Sequence, residues 1–314
     1  MTTSTKNVKK SPQPSFRYCP AGQQGRTAIV TGTGGIGFAI AHALACAGAN
    51  VIIAGRNAEK GAAAVSGIRK AFPDANVRFE SLNLADLNSI ASFCERIKKS
   101  ETKIDTLMCI AGQMMPDEFV KTKDGVEMQF AVNYLGHFAL TAGLFPLLKA
   151  GRDPRVVTTS SIANKPLRFK LGDATGELGY SASISYAFSK LSCLMFAVEF
   201  SKRSEENGWG VKAYAFHPGL ARTQLFSRSH GFTMTLLQVI FFILPFIRQS
   251  AKHAALPALF AATSEKAVSG SYYGPLLCAV GPPRKALIPP RAKSQALRKS
   301  LWNLSVSLTN IEIN

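Results

Sequence analysis

From residue 26 onward, short apolar runs alternate with segments whose apolar positions recur every three to four residues. The runs predict buried strands, the recurring positions predict amphipathic helices, and their alternation predicts βαβ units on a parallel sheet. RTAIVTG predicts the first strand, and Ile36, Ile40 and Leu44 place one apolar stripe on the helix after it. ANVIIAG predicts the second strand. A helix near 57–71 stops ahead of Phe72-Pro73-Asp74, a turn signal. NVRFESLNL and the largely apolar IDTLMCIAG predict strands three and four, the latter covered on both faces. A long helix is expected from about Gly125 to Lys149, and a strand at RVVTTSS after Pro154. A further helix runs from near Ala182 to the Asn207-Gly208 break, with Leu191, Leu194, Met195 and Val198 as its core stripe. VKAYAFHPG and the region around GSYYG complete about seven strands of a single domain.

One segment departs from this rhythm. FTMTLLQVIFFILPFI, residues 232–247, is almost continuously apolar. It is shorter than the roughly 20 residues that a membrane span needs. A buried core helix and a shallow membrane contact both remain open for it.

The 314 residues suit one large α/β domain with tails. Lys and Arg number 37 against 19 Asp and Glu, a formal charge of +18. Such a charge suits nucleic acid, an anionic membrane surface or anionic cofactors. Nucleic acid is disfavoured: the chain lacks zinc-finger spacing, an RNP-like aromatic motif and a basic heptad helix. Much of the excess lies near the ends, in Lys6, Lys9, Lys10 and Arg17 and in Arg284, Lys285, Arg291, Lys293, Arg298 and Lys299. The domain is accordingly expected over 21–282, with the apolar segment inside 225–250. Residues 1–20 are expected as a polar basic tail, and 283–314 as a basic tail with a short amphipathic helix on Leu297, Leu301 and Leu304. The six cysteines form no CxxC pair, and their spacing suggests neither a zinc site nor a disulfide framework. A reducing compartment is expected, either the cytoplasm or the face of an internal membrane, and residues 1–20 lack the pattern of a signal peptide. No metal-ligand cluster is evident.

The candidate chemistry centres on Tyr186 and Lys190 in SYAFSKLSCLMF. Residues i and i+4 share one helix face, and a lysine there would draw down the phenol pKa. A tyrosine so tuned can give or take a proton. Near the N-terminus, Thr31-Gly32-Thr33-Gly34-Gly35-Ile36-Gly37 joins a predicted strand to a predicted helix, the setting in which backbone N–H groups receive a pyrophosphate. Asn133 lies in FAVNYLGHF, and Ser160 and Ser161 end the fifth strand. The second strand ends in Ala54-Gly55-Arg56-Asn57 with no acid to bond a ribose diol, and the Arg56 guanidinium suits a 2′-phosphate.

In this order these features resemble the short-chain dehydrogenase/reductase family over roughly residues 25–275. The resemblance implies a three-layer, Rossmann-type, doubly wound parallel sheet and an Asn133–Ser161–Tyr186–Lys190 tetrad. In it Tyr186 is the acid/base, Lys190 tunes the phenol and bonds the nicotinamide ribose, Ser161 polarises the substrate oxygen, and Asn133 holds a water behind Lys190. Ser160 is the fallback for Ser161, and His137 and His217 are read as packing or turn-shaping residues. The cofactor site is assigned to Thr31, Gly32, Gly35, Ile36, Gly37, Arg56, Asn83, Leu84, Ala111, Gly112, Tyr186, Lys190, Pro218, Gly219 and Thr223. NADP(H) is favoured over NAD(H).

Three features depart from the family pattern. The glycine loop is one residue short of TGxxxGxG, Asn83 replaces an adenine-contacting Asp, and Cys109-Ile110-Ala111-Gly112 replaces NNAG, which implies a less rigid pocket. VIIAGRN, TKDGVEMQFAVNYLGHFALT, YAFSKL and HPGLARTQL are similar to the retinol-dehydrogenase-like branch. Met114-Met115-Pro116 and LWNLS are similar to the X-chromosome-type group acting on polyprenoids. The implied substrate is a lipophilic alcohol or carbonyl, with 232–247 as its lid. Peripheral membrane contact and homo-oligomers fit the same reading. The alternative is a family member that binds a nucleotide or a membrane with weak or no turnover.

Overall fold

Residues 18–116, 118–166, 170–176, 179–220 and 249–314 are described by the structure, a computed structural model. Among them the predicted runs form β1 (Thr27–Thr31), β2 (Asn50–Gly55), β3 (Val77–Ser81), β4 (Thr106–Cys109), β5 (Arg155–Thr159), β6 (Lys212–Phe216) and β7 (Tyr272–Pro275). β8 (Pro283–Lys285) adds an antiparallel edge to the seven strands expected. The sheet order is β3-β2-β1-β4-β5-β6-β7-β8, parallel up to β7. The chain reverses direction across the sheet between β1 and β4. In open α/β sheets that switch point opens a crevice at the strands' carboxyl ends, where ligands bind.

The period-two alternation of the strands divides the core. Ile29, Ile52, Leu107, Val156 and Tyr272 face one layer, and Val30, Ile53, Met108, Val157 and Tyr273 face the other. The first layer holds α3 (Leu87–Ser100), α5 (Gly136–Gly143) and α7 (Ala182–Glu206), through residues such as Phe93, Phe138 and Leu191. The second holds α1 (Gly35–Cys46), α2 (Ala58–Ala71) and α8 (Ala251–Thr263), through Ile40, Ile68 and Leu259. Local chemistry sets the helix ends. The Asn57 side chain accepts from Lys60 N at 2.7 Å to start α2, and Asp86 accepts from Ser89 N at 3.0 Å to start α3. Arg69 and Lys70, then Lys98 and Lys99, complement the helix dipoles at the far ends.

The single helix expected over 125–149 is broken. It comprises α4 (Met128–Phe130), a π-helical turn (Ala131–Leu135), α5 and α6 (Phe145–Lys149). Glu127, fully buried, accepts from Gln129 N at 3.0 Å and Phe130 N at 2.8 Å and fixes the start at Met128. Residues 129–142 are buried throughout, and their polar positions Gln129, Asn133, His137 and Thr141 keep an even four-residue spacing, so the sequence pattern does not register the break.

Residues 283–314, expected as a tail, pack on the body. After β8 come α9 (Pro290–Lys293) and α10 (Gln295–Thr309), a longer amphipathic helix than expected, lying against α7. The Trp302 ring stacks on Phe196 at 5.9 Å and lies 4.3 Å beneath the Arg203 guanidinium. Arg298 donates to buried Glu199 at 3.2 Å. A second correction concerns the cysteines: Cys19 and Cys46 form a disulfide across 27 residues of sequence. The segment before β1 folds back along α1, where the Tyr18 hydroxyl donates to Ala39 O at 2.6 Å. That proximity leaves no trace in the spacing. The apolar segment 232–247 and Thr223 lie outside the described residues.

Candidate active site

At the carboxyl edge of the sheet, over the β1/β4 switch point, lies a cavity of about 580 Å³. Its floor at one end is the glycine turn. Gly32 has φ +97° and Gly35 φ +52°, a backbone region open chiefly to glycine. A Cβ on Gly37 would meet the Gly32 carbonyl at 2.6 Å, so only glycine lets α1 start this close to β1. Gly34 caps the helix in extended backbone, and α1 presents its N-terminal N–H groups to the cavity. The loop one residue short therefore still forms a cradle that suits a pyrophosphate.

Arg56 and Lys60 lie beside the cradle and line the same cavity, both exposed. Neither side chain has an ion-pair or hydrogen-bond partner among the described residues. Lys60 was not singled out in the sequence, although its place one helical turn after Arg56 was readable. Asn83 and Leu84 line the next wall; the Asn83 side-chain oxygen accepts from Ala85 N at 3.2 Å, which leaves its amide N–H groups for a ligand. Ile36, Ala111, Gly112, Pro218 and Gly219 are also wall residues.

Thr31 corrects the expectation. It is fully buried and does not line the cavity. Its hydroxyl accepts from Ile110 N at 2.8 Å and Ala111 N at 3.0 Å. It also lies 3.0 Å from His137 Nε2. His137 Nδ1 faces the Asn133 carbonyl at 3.0 Å, an oxygen that only accepts, so Nδ1 carries the proton and Nε2 accepts from Thr31. Burial holds the His137 pKa down to about 4, and the ring is neutral. Thr31 and His137 thus tie β1, the Ile110-Ala111 turn and the π-helical turn together.

The four tetrad residues converge. The Asn133 carbonyl, in the π-helical turn, faces His137 Nδ1 at 3.0 Å and accepts from the Cys193 thiol at 3.1 Å. The Asn133 side chain is spent on Gln113, accepting from its N at 2.7 Å and donating to its O at 3.0 Å, and on Ser189 at 2.9 Å. It braces the cavity wall from behind and does not line it.

Tyr186, Lys190 and Ser161 do line the cavity. Lys190 Nζ donates to Thr159 O at 3.1 Å and lies 5.9 Å from the Tyr186 ring centroid. Burial lowers the Lys190 pKa. Burial also pushes the Tyr186 phenol up to about 12, and the opposing pull comes from a hydrogen bond with Ser161. Burial is thus the largest influence on the phenol in this arrangement, and Ser161 opposes it.

The two serines are distinguishable. Both touch the cavity, but Ser160 is buried and donates to Lys190 O at 2.8 Å, whereas Ser161 is partly exposed and keeps its hydroxyl proton free of such a backbone partner. The wall that the sequence did not assign includes an apolar group, Met114, Met115, Val132, Ile162 and Leu220, alongside polar residues such as Gln113 and Thr159. His217 shapes the turn after β6, accepting from Gly219 N at 3.3 Å. Its ring fills the space over Gly274, where a Cβ would collide with it. No cluster of three or more metal-ligating side chains exists among the described residues.

Comparisons with known proteins show the family and the fold. A family profile described as "short chain dehydrogenase" matches residues 26–231. The chain is similar to retinol dehydrogenase 12 of Mus musculus, 36% identical over 291 residues that cover 92% of this chain and 87% of that protein. It is also similar to retinol dehydrogenase 13 of Homo sapiens, 36% identical over 296 residues covering 92% and 86%. Among solved structures, an uncharacterized protein from Mycobacterium paratuberculosis superposes with a TM-score of 0.79 at 31% identity, covering 96% of this chain and all of the other. A short-chain dehydrogenase of Shigella flexneri complexed with NADP shares the fold, with a TM-score of 0.62 at 20% identity over 80% of this chain and 97% of its own.

Proposed function

The chain belongs to the short-chain dehydrogenase family, oxidoreductases acting on CH–OH groups with NAD(P), and on that premise we propose that it interconverts a lipophilic alcohol and its carbonyl with NADP(H). The observation that carries the cofactor choice is the pair of cations Arg56 and Lys60 beside the glycine cradle, without side-chain partners among the described residues. A dianionic 2′-phosphate suits them, and no acid stands at the end of β2 to bond a free ribose diol. The cradle, formed where a Cβ at Gly37 would not fit, suits the pyrophosphate, with Asn83 and Leu84 toward the adenine end.

When bound, the nicotinamide supplies or accepts the hydride. The chain's own residues do the rest. Tyr186 gives its phenolic proton to the carbonyl oxygen in reduction and takes it back in oxidation. Ser161 donates to the same oxygen and lowers the phenol pKa. Lys190, positioned by Thr159 O, keeps N–H groups for the cofactor's ribose and, when charged, favours the phenolate. Asn133 holds Gln113 and the wall behind Lys190.

The apolar wall of Met114, Met115, Val132, Ile162 and Leu220 favours a substrate of retinoid, polyprenoid or long-chain aldehyde type. The relatives' name, retinol dehydrogenase, points the same way. Peripheral contact with an anionic membrane fits as well. Residues 266–311 contain seven Lys and Arg and no Asp or Glu, and Leu276, Leu277 and Leu287 among them are exposed. No described helix is long and apolar enough to cross a membrane.

Titration of the purified protein with NADPH and NADH, followed by nicotinamide fluorescence, tests the cofactor reading. Saturable binding with a clear NADPH preference supports it. Equal affinity removes the role of Arg56 and Lys60, and no binding of either transfers the weight to a family member without turnover.

A further inference from the structure

Ser161 is placed where the sheet can no longer hold it. The last ladder bond of this edge is Ser160 N to Phe216 O at 2.7 Å, and β5 itself ends at Thr159. Beyond that point the chain turns into an exposed loop, with Ile162 and Ala163 at the surface. A hydroxyl that must meet both a phenol and a substrate oxygen needs sub-ångström placement. That placement has to come from side chains.

Across the sheet, on β7, Tyr272 supplies it. The Ser161 side of the sheet is the layer that Tyr272 faces, because Tyr273 takes the opposite side. The Tyr272 hydroxyl donates to the Ser161 carbonyl at 3.0 Å. It is not free to rotate away, because it accepts from Asn164 Nδ2 at 3.2 Å. The same Asn164 amide donates to Ser160 Oγ at 3.2 Å, and Ser160 Oγ donates to Lys190 O at 2.8 Å. An unbroken chain of hydrogen bonds thus runs from the Ser161 backbone through Tyr272, Asn164 and Ser160 to the helix that carries Tyr186 and Lys190. Ala163 N donates to Ser161 Oγ at 3.1 Å, which occupies one lone pair and leaves the hydroxyl proton for the cavity side.

Packing alone does not require this arrangement. The Tyr272 ring, 4% exposed, lies 5.2 Å from the His217 ring, and a phenylalanine would fill that space equally. A buried phenol is favourable only when its hydroxyl is paired, and here both partners belong to the loop that carries the reactive serine.

We propose that Tyr272, buttressed by Asn164, is a positioning residue that holds the Ser161 hydroxyl in register with Tyr186. The proposal rests on the acid/base reading of Tyr186 and adds a residue from a strand outside the tetrad. Tyr272 does not line the cavity; it acts through Ser161.

Tyr272→Phe deletes one oxygen and keeps the ring. At saturating NADPH its kcat for an apolar aldehyde is expected to fall about tenfold, while the NADPH dissociation constant stays within about twofold. Loss of the Ser161 hydrogen bond also moves the alkaline limb of the kcat profile to higher pH, a change that looser packing alone would not produce. Asn164→Ala, which leaves the phenol able to reach Ser161, is expected to show a smaller fall in the same direction, and it serves as the test if Tyr272→Phe does not fold. Wild-type kcat and pH profile in Tyr272→Phe overturn the proposal. So does a matched loss of cofactor affinity and thermal stability without change in kcat, the signature of packing. A crystal structure of Tyr272→Phe provides a reading independent of turnover: Ser161 Oγ displaced from Tyr186 is expected, and Ser161 unmoved overturns the proposal. If the wild type itself turns over no carbonyl, the functional reading fails, and the crystal structure still decides the positioning.

Discussion

The Ser160 hydroxyl donates to the backbone carbonyl of Lys190 at 2.8 Å, while its neighbour Ser161 lines the cavity beside Tyr186 and opposes the rise that burial imposes on the phenol pKa. Two adjacent serines therefore have separate tasks, one anchoring a helix and the other facing the reacting oxygen. Ser161→Ala is expected to lower kcat by about a hundredfold or more, as loss of a positioned donor does. Ser160→Ala is expected to cost about 1–2 kcal/mol of stability, the cost of a buried hydrogen bond, while retaining more than a tenth of the rate. Steady-state kinetics and urea unfolding on the two variants separate these effects. Equal losses of rate would show that the pair is not divided in this way.

Arg56 and Lys60 should set cofactor choice together. Arg56→Ala is expected to weaken NADPH binding about ten- to a hundredfold and to leave NADH within about twofold, because only one of the two carries the extra phosphate. Lys60→Ala should act in the same direction and more weakly. Fluorescence titration of both cofactors at two salt concentrations reads this directly, and the NADPH preference should shrink as salt rises.

Acid should destabilise the fold earlier than carboxylate protonation explains. Burial holds His137 and His217 near pKa 4 in the folded chain, against 6.5 when unfolded. Below 6.5 the unfolded chain takes up protons that the folded chain refuses. The contribution is complete above 6.5 and is lost as pH falls toward 4. At pH 5.5 each histidine costs about 1 kcal/mol. Urea midpoints at pH 7.0 and 5.5 test it; a flat profile would mean that one or both rings are solvated.

The C-terminal helix should be required for the fold. Trp302→Ala opens space among Phe138, Phe196 and Phe200 and is expected to cost about 3–5 kcal/mol. Thermal unfolding of the variant measures it. An unchanged midpoint would return residues 295–309 to the status of a tail.

How much of this was readable in the chain depends on what each residue's pattern encodes. The parallel sheet was, because strands buried on both faces are short apolar runs and their helices carry stripes such as Ile36, Ile40 and Leu44. The meeting of Tyr186, Lys190, Ser161 and the glycine turn was implied by the family resemblance. The π-helical turn at Asn133 was not, because Gln129, Asn133, His137 and Thr141 keep the even spacing of an unbroken helix. The disulfide between Cys19 and Cys46, the docking of Trp302 and the contact of Tyr272 with Ser161 are tertiary facts, and a separation of 111 residues leaves the last of them no local trace. Thr31 shows the opposite error: its motif position suggested a cofactor contact, and burial turned the hydroxyl inward to the Ile110-Ala111 turn.

The central claim is that Tyr186 transfers the proton during NADPH-dependent carbonyl reduction. Its most direct test is the single-turnover rate of NADPH oxidation with a long-chain aldehyde, compared between wild type and Tyr186→Phe at matched cofactor occupancy. The account predicts a measurable wild-type rate that falls by at least about a hundredfold in the variant, with NADPH binding retained. A variant that oxidises NADPH at the wild-type rate would contradict it.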